Sequence, residues 1–267
     1  MTNFLFKDEK KISKEFENKG FVIKKIKDFK SLSKIRNLYI KSLKKNLKFK
    51  TINRNENYIL NNIHKKIKVN RLNSFRLKII NDINKSKEIR ELYYKISRPL
   101  LDIILGNELS MQLRINLSIQ MPNDTSSLLP IHSDVWSGDS PFEAVVWLPL
   151  VNCYKTKSMF ILPPSKYNKM KKIFLQKKSS SSEQIFQKIK KHLQWISIKY
   201  GEVMIFNQCL PHGNTINREK ETRWSLNCRF KSVFSPYADK KIGEFFEPVT
   251  LRTVSELAIK YNLPKIT

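Results

Sequence analysis

The sequence predicts an α+β fold, in which a mainly helical first hundred residues pack on an antiparallel β core. Three observations predict it. Apolar residues recur at every third or fourth position early in the chain, the period shortens to two from Met111, and the later apolar runs 142–151 and 203–206 are short. A period near 3.6 marks one buried face of a helix, a period of two a half-buried strand, and a short unbroken run a strand covered on both faces. With 267 residues the chain can bury a full core without being forced into two domains. It reads as one domain over 1–267: a mainly helical part at 1–107, the β core at 108–235 with a helical insertion at 166–195, and a tail at 236–267.

The elements follow in order. Leu32, Ile35, Tyr39, Leu43 and Leu47 form one helical stripe, and Ile89, Leu92, Tyr93, Ile96, Leu100 and Ile103 a second. Both are read as core faces laid on the sheet. Gly106 and Asn107 end the helical part. Met111, Leu113, Ile115, Leu117 and Ile119 then face one way, and Gln112, Arg114, Asn116, Ser118 and Gln120 the other. That polar face either lines an internal site or meets solvent. The run 142–151 is the next strand, and the lysine-rich insertion 166–195 is broken by the serines at 179–182. Insertions of this kind can cover the mouth of a barrel. A further strand is expected at 222–233, followed by the tail with Pro236, Pro248 and a short helix over 254–261. No internal repeat is visible.

The chemistry rests on few residues. Of four histidines (His64, His132, His192 and His212), one stands in His132-Ser133-Asp134, and another in the turn 209–214 after an apolar run. Residues two apart on a strand point to one face, so His132 and Asp134 can reach a single ion. Two histidines and one carboxylate are the facial set that binds Fe(II) and leaves positions open. A jelly roll, the double-stranded β-helix of cupin-like proteins, brings a third ligand such as His212 from a distant strand. Arg223 follows His212 by 11 residues, with Ser225 on the same strand face. A guanidinium binds a carboxylate bidentately and stays charged where water is excluded, so Arg223 is taken as the anchor for an acidic ligand. Arg218 and Arg229 compete for that role, and Arg229 has the same strand parity.

Further pieces come in a recognisable order. Val146-Trp147-Leu148-Pro149-Leu150 follows the first histidine motif, then Pro163-Pro164-Ser165 closes a short apolar strand. Tyr200-Gly201-Glu202 opens the next run, and His212-Gly213-Asn214 leads to Arg223-Trp224-Ser225. With Lys19-Gly20-Phe21-Val22-Ile23 near the start, the chain, and 111–234 above all, resembles the phytanoyl-CoA dioxygenase-like branch of the Fe(II)/2-oxoglutarate oxygenases. Two departures alter turn geometry: Pro164 stands where the family has glycine, and Lys157-Ser158 replaces an Asn-Gly turn.

The resemblance implies a double-stranded β-helix with N-terminal helices on its major sheet, using Fe(II), 2-oxoglutarate and O2 and releasing succinate and CO2. It implies His132, Asp134 and His212 as metal ligands, and Arg223, Ser225 and Trp147 beside the co-substrate. Hydroxylation is the default outcome. Halogenating relatives lack the carboxylate ligand, so Asp134 speaks against halide chemistry. Trp136, Gln120, Arg114 and Glu143 are candidates for touching substrate. Relatives from bacterial surface-carbohydrate clusters point to a small polar substrate, sugar-derived or nucleotide-linked.

Composition narrows the alternatives. The formal net charge of +28 would suit nucleic acid, but lysine is spread along the chain together with abundant Asn and Ile, as an AT-rich coding sequence supplies. No specific nucleic-acid binding is expected; the charge can still attract anionic substrates. No apolar run reaches the ~20 residues of a membrane helix, and the N-terminus lacks the pattern of a signal peptide. Cys153, Cys209 and Cys228 show no zinc or redox spacing and suit a reducing, cytoplasmic setting. Two other classes remain open: a non-catalytic jelly roll that binds a metal or ligand, and a cupin-type enzyme working without 2-oxoglutarate.

Overall fold

Helices come first in the chain and lead into the sheets. The computed structural model describes residues 4–47, 55–175 and 181–262. Helix α1 (Lys7–Lys19) stops at Gly20, whose φ of 79° lets its N–H reach Phe16 O at 2.7 Å. Only glycine fits there, because an added Cβ would lie 2.1 Å from Leu210 Cδ1. Strand β1 (Phe21–Lys25) follows, then α2 (Phe29–Leu47), α3 (Glu56–Asn61), α4 (Leu72–Asn84) and α5 (Glu88–Ile104). The expected stripes are the buried faces: Leu32, Ile35, Tyr39 and Leu43 on α2, and Ile89, Leu92, Tyr93, Ile96 and Leu100 on α5.

Nine further strands build two antiparallel sheets. They are β2 (Leu109–Gln112), β3 (Asn116–Gln120), β4 (Glu143–Pro149), β5 (Phe160–Ile161), β6 (Gln194–Trp195), β7 (Glu202–Asn207), β8 (His212–Gly213), β9 (Arg223–Ser232) and β10 (Phe246–Thr250). The large sheet runs β1-β7-β4-β9-β2-β10, with β3 also paired to β9; the small one runs β6-β5-β8. An isolated bridge between His132 and His212 extends the small sheet. One cavity is lined from both sheets, by Val145, Trp147, Arg223 and Asn227 of the large and His132, His212 and Gly213 of the small. The lumen between them is that of a jelly roll.

Strand β9 sets the division of labour. Trp224, Leu226, Cys228 and Phe230 are fully buried in the core shared with the helices. Arg223, Asn227 and Arg229 alternate with them and line the cavity. Side-chain hydrogen bonds fasten helices to this sheet, among them Tyr93 Oη donating to Val146 O at 2.9 Å and Trp224 Nε1 donating to Leu60 O at 3.0 Å.

Three features differ from the sequence reading. The alternating stretch 111–120 is broken at 113–115 into β2 and β3, both laid against β9. The supposed tail supplies β10, which pairs with β2; Pro248 is tolerated because β10 is an edge strand. The insertion forms α6 (Pro164–Leu175) and α7 (Ser182–Ile189), which pack Phe174, Ile185 and Ile189 on Phe160 of the small sheet and on the adjoining Ile131 and Leu162. Among the described residues neither helix lines the cavity; both back the small sheet. Ser179 and Ser180 lie outside the described residues. Pro164, the first departure, opens α6, where a proline's missing N–H costs nothing. The chain ends its described part with α8 (Thr253–Lys260).

Candidate metal centre

His132 and His212 are brought together by backbone pairing. His132 N donates to His212 O at 3.0 Å and His212 N to His132 O at 2.8 Å, which sets the ring centroids 4.3 Å apart. Asp134 does not sit on a regular strand, as the spacing predicted. Extended Ser133 (φ −125°, ψ 135°) carries the chain to Asp134, which opens a 3-10 turn, Asp134–Ser137. The extended residue alone gives the shared direction. Ser133 Oγ donates to Cys209 O at 2.9 Å, and Asp134 N to Gln208 O at 3.1 Å, so this turn is pinned to the segment before β8.

The donor atoms converge. Asp134 Oδ1 lies 3.4 Å from His132 Nε2 and 3.8 Å from His212 Nε2, and all three donors fall within 4.8 Å of one another. Each ring holds its Nδ1 against the carbonyl two residues earlier: Pro130 O at 2.8 Å for His132 and Leu210 O at 2.9 Å for His212. With the proton on Nδ1, donated to that carbonyl, both Nε2 lone pairs face the centre; ligating histidines are oriented in this way. The residues therefore fit a divalent ion of the iron type, with two nitrogens and one oxygen on one side.

Electrostatics agree. Burial alone would raise the Asp134 carboxyl, but the hydrogen bond with His132, the adjacent His212 imidazole and the Arg229 guanidinium hold it well below the usual carboxylate range. Burial, reinforced by His132, pushes His212 down to about 4, so its ring is neutral and able to ligate at pH 7. For His132 burial works the other way from its partners, and the Asp134 hydrogen bond leaves it raised.

Two arginines face this cavity and they are not equivalent. Arg229 is committed: Nη2 donates to Asp134 Oδ2 at 2.9 Å and Nε to Gln208 Oε1 at 3.0 Å. Arg223 is buried, with Nη1 donating to Ser158 O at 3.0 Å and Nη2 to Ser118 Oγ at 2.9 Å. Its Nε and the hydroxyls of Ser225 and Ser158 are buried without a hydrogen-bond partner. Burial lowers Arg223 to about 10, which still leaves a cation at neutral pH. Arg218 is exposed and donates to Asn123 Oδ1 at 3.1 Å.

The other sequence candidates are scattered. Trp147 is buried and lines the cavity, of about 230 Å³, with the triad and Arg223. Gln120 lies outside its lining and donates to Thr215 O at 2.6 Å. Glu143 is buried behind Gln208, which donates to its Oε2 at 2.9 Å, and burial pushes its carboxyl up. Trp136 is half-buried and stacks on Phe174 at 5.6 Å. Arg114 is exposed and donates to Asn81 Oδ1 at 2.9 Å, away from the cavity, because the break between β2 and β3 releases its strand parity. Asn116, Ser118, Asn214 and Asn227 line the cavity and were not singled out as site residues. The period of two gave the signal for Asn116, Ser118 and Asn227. Nothing in the sequence marked Gln208.

Neither protein-family models nor the sequences of curated proteins yield a match to this chain. Solved structures do. A nickel complex of ThoJ, described as a non-heme monooxygenase, superposes with a TM-score of 0.54 at 14% identity, covering 90% of this chain and 84% of that one. SnoK, described as a non-heme alpha-ketoglutarate-dependent carbocyclase from nogalamycin biosynthesis, gives 0.54 at 15% identity, over 93% and 98%. HygX from Streptomyces hygroscopicus, with nickel and 2-oxoglutarate bound, gives 0.56 at 10% identity, over 87% and 89%. At such identities the likeness establishes a shared fold.

Proposed function

We propose that this chain, which has the fold of the non-heme 2-oxoglutarate-dependent oxygenases, is itself such an enzyme. His132, Asp134 and His212 would hold Fe(II), and Arg223 with Ser225 would bind the far carboxylate of 2-oxoglutarate beside Trp147. One observation carries the reading: a convergent two-histidine, one-carboxylate set shares a single cavity with a buried arginine that still has an unpartnered N–H. A buried cation with unused donors is costly unless an anion completes it. Bound iron would supply oxidation of a substrate by O2, coupled to conversion of 2-oxoglutarate to succinate and CO2.

The protein's own part is placement. The carbonyls of Pro130 and Leu210 hold the Nδ1 edges of both rings so that Nε2 faces the centre, and Ser118 and Ser158 O fix the guanidinium plane of Arg223. The substrate we favour is small and polar, sugar-derived or nucleotide-linked, and is hydroxylated in the cytoplasm. The amides of Asn116, Asn214 and Asn227 support a polar ligand, and the net charge of +28 would attract an anionic one. Among the described residues no helix is long and apolar enough to cross a membrane.

Anaerobic titration tests this directly: Fe(II), then 2-oxoglutarate, added to metal-free protein. A weak visible charge-transfer band that disappears in Asp134→Ala is the expected result. Iron binding without the band would overturn the 2-oxoglutarate reading in favour of a cupin-type enzyme or a binding protein.

A further inference from the structure

The carboxylate ligand is held from behind by an extended buried network. Arg229 Nη2 donates to Asp134 Oδ2 at 2.9 Å while Asp134 Oδ1 faces the two imidazoles. The same guanidinium lies 3.4 Å from Asp139 Oδ2, just past the 3-10 turn that Asp134 opens. Its Nε donates to Gln208 Oε1, and Gln208 in turn donates to Ser140 O at 3.0 Å and to Glu143 Oε2 at 2.9 Å. Gln208 is fully buried and its carbonyl also receives Asp134 N. Lys240 pairs with Asp139 from outside. Arg229 and Gln208 therefore grip residues 134–143 at several points, through both oxygen sides of the network.

We infer that Arg229, supported by Gln208, is a positioning residue that restricts Asp134 to ligation through one oxygen. An aspartate with a free second oxygen can swing to chelate an ion with both, which consumes a coordination position. Here Oδ2 is occupied by a charge-assisted hydrogen bond from a planar group that is itself held in place by Gln208, so rotation of the carboxylate would break that bond without the guanidinium being free to follow. Lysine could supply the charge at this place but not the two-directional donation to Asp134 and Gln208. The inference rests on the metal reading above and concerns only how the carboxylate is presented.

The test needs no substrate. Co(II) is titrated into metal-free wild type, Arg229→Met and Arg229→Lys, following affinity and the visible ligand-field spectrum, which reports coordination number. For the methionine variant we expect Co(II) affinity to fall about 10- to 100-fold, in the range seen when groups behind a ligand are removed, together with a changed spectrum. The lysine variant keeps the charge balance and should fold; it should show the altered spectrum with a smaller loss, roughly fivefold, since one of two donor directions is gone. Wild-type affinity and spectrum in Arg229→Lys would overturn the proposal, and that variant decides the matter if Arg229→Met does not fold. Failure of wild type itself to bind Co(II) would instead overturn the metal reading.

Discussion

Asp134, His132 and His212 converge within a few ångströms, so loss of any one should be felt by the ion before it is felt by the fold. His212→Ala is expected to abolish metal binding in a calorimetric titration while leaving the far-ultraviolet circular dichroism unchanged. In the proposed function Arg223 would hold a different ligand. A hydrogen bond to a charged group contributes about 1.5–3 kcal/mol, so Arg223→Ala should weaken 2-oxoglutarate binding by roughly 10- to 150-fold and leave the metal in place. Normal co-substrate affinity in that variant would remove Arg223 from the site. Much of this was legible: two histidines among four, a carboxylate two residues from one of them, and an arginine on a strand of clean alternation. The distinction between Arg223 and Arg229 was not, since both have the same parity on β9. It is made by Asp134, whose approach to Arg229 depends on a turn pinned by Gln208, far from either in sequence. The thiols also separate by environment. Burial pushes Cys153 and Cys228 up to about 12, whereas Cys209 is half-buried. Alkylation at pH 8, mapped by mass spectrometry, should modify Cys209 first and the other two only upon unfolding.

At the level of elements, periodicity located α2, α5, β4, β7 and β9 closely because each has one continuous apolar face or is buried throughout. It missed β10, whose residues alternate weakly around Pro248 and which owes its strand form to pairing with β2. It also joined β2 to β3, because a bend at 113–115 costs the pattern no phase while turning Arg114 out to solvent. The join between α1 and β1 is the most exacting connection. Gly20→Ala must hold a left-handed conformation, which costs an L-residue about 1–2 kcal/mol, and must also displace Leu210, two residues before His212. We expect a lower midpoint in chemical denaturation, accompanied by weaker metal binding because the carbonyl of Leu210 orients the His212 ring. Unchanged metal affinity in a destabilised Gly20→Ala would show that the Leu210 carbonyl keeps its place when its side chain moves.

For the molecule as a whole, acid should act through the carboxylate of the candidate metal centre. Asp134 is depressed in the folded protein, whereas an unfolded aspartate titrates near pH 3.9. Its contribution to stability is thus fully present above about pH 4 and is lost as the pH falls further toward its folded value. In metal-free protein, Asp134→Asn should be less stable than wild type at pH 7, and the gap in denaturation midpoint should narrow below pH 4; a constant gap would mean that the charge is not what stabilises. Finally, β9 alternates between the fully buried core residues Trp224, Leu226, Cys228 and Phe230 and an opposite face on which Arg223, Asn227 and Arg229 line the cavity. Such a strand tolerates exchange of letters but not a shift of frame. Deleting a single residue at Leu226 would swap the two faces for everything on one side of the cut, turning charged groups inward among the helices and aromatic rings into the lumen. Descent within this lineage is therefore expected to alter β9 by replacement alone, with changes of length collected in the joins on either side, such as 214–222 and 233–245.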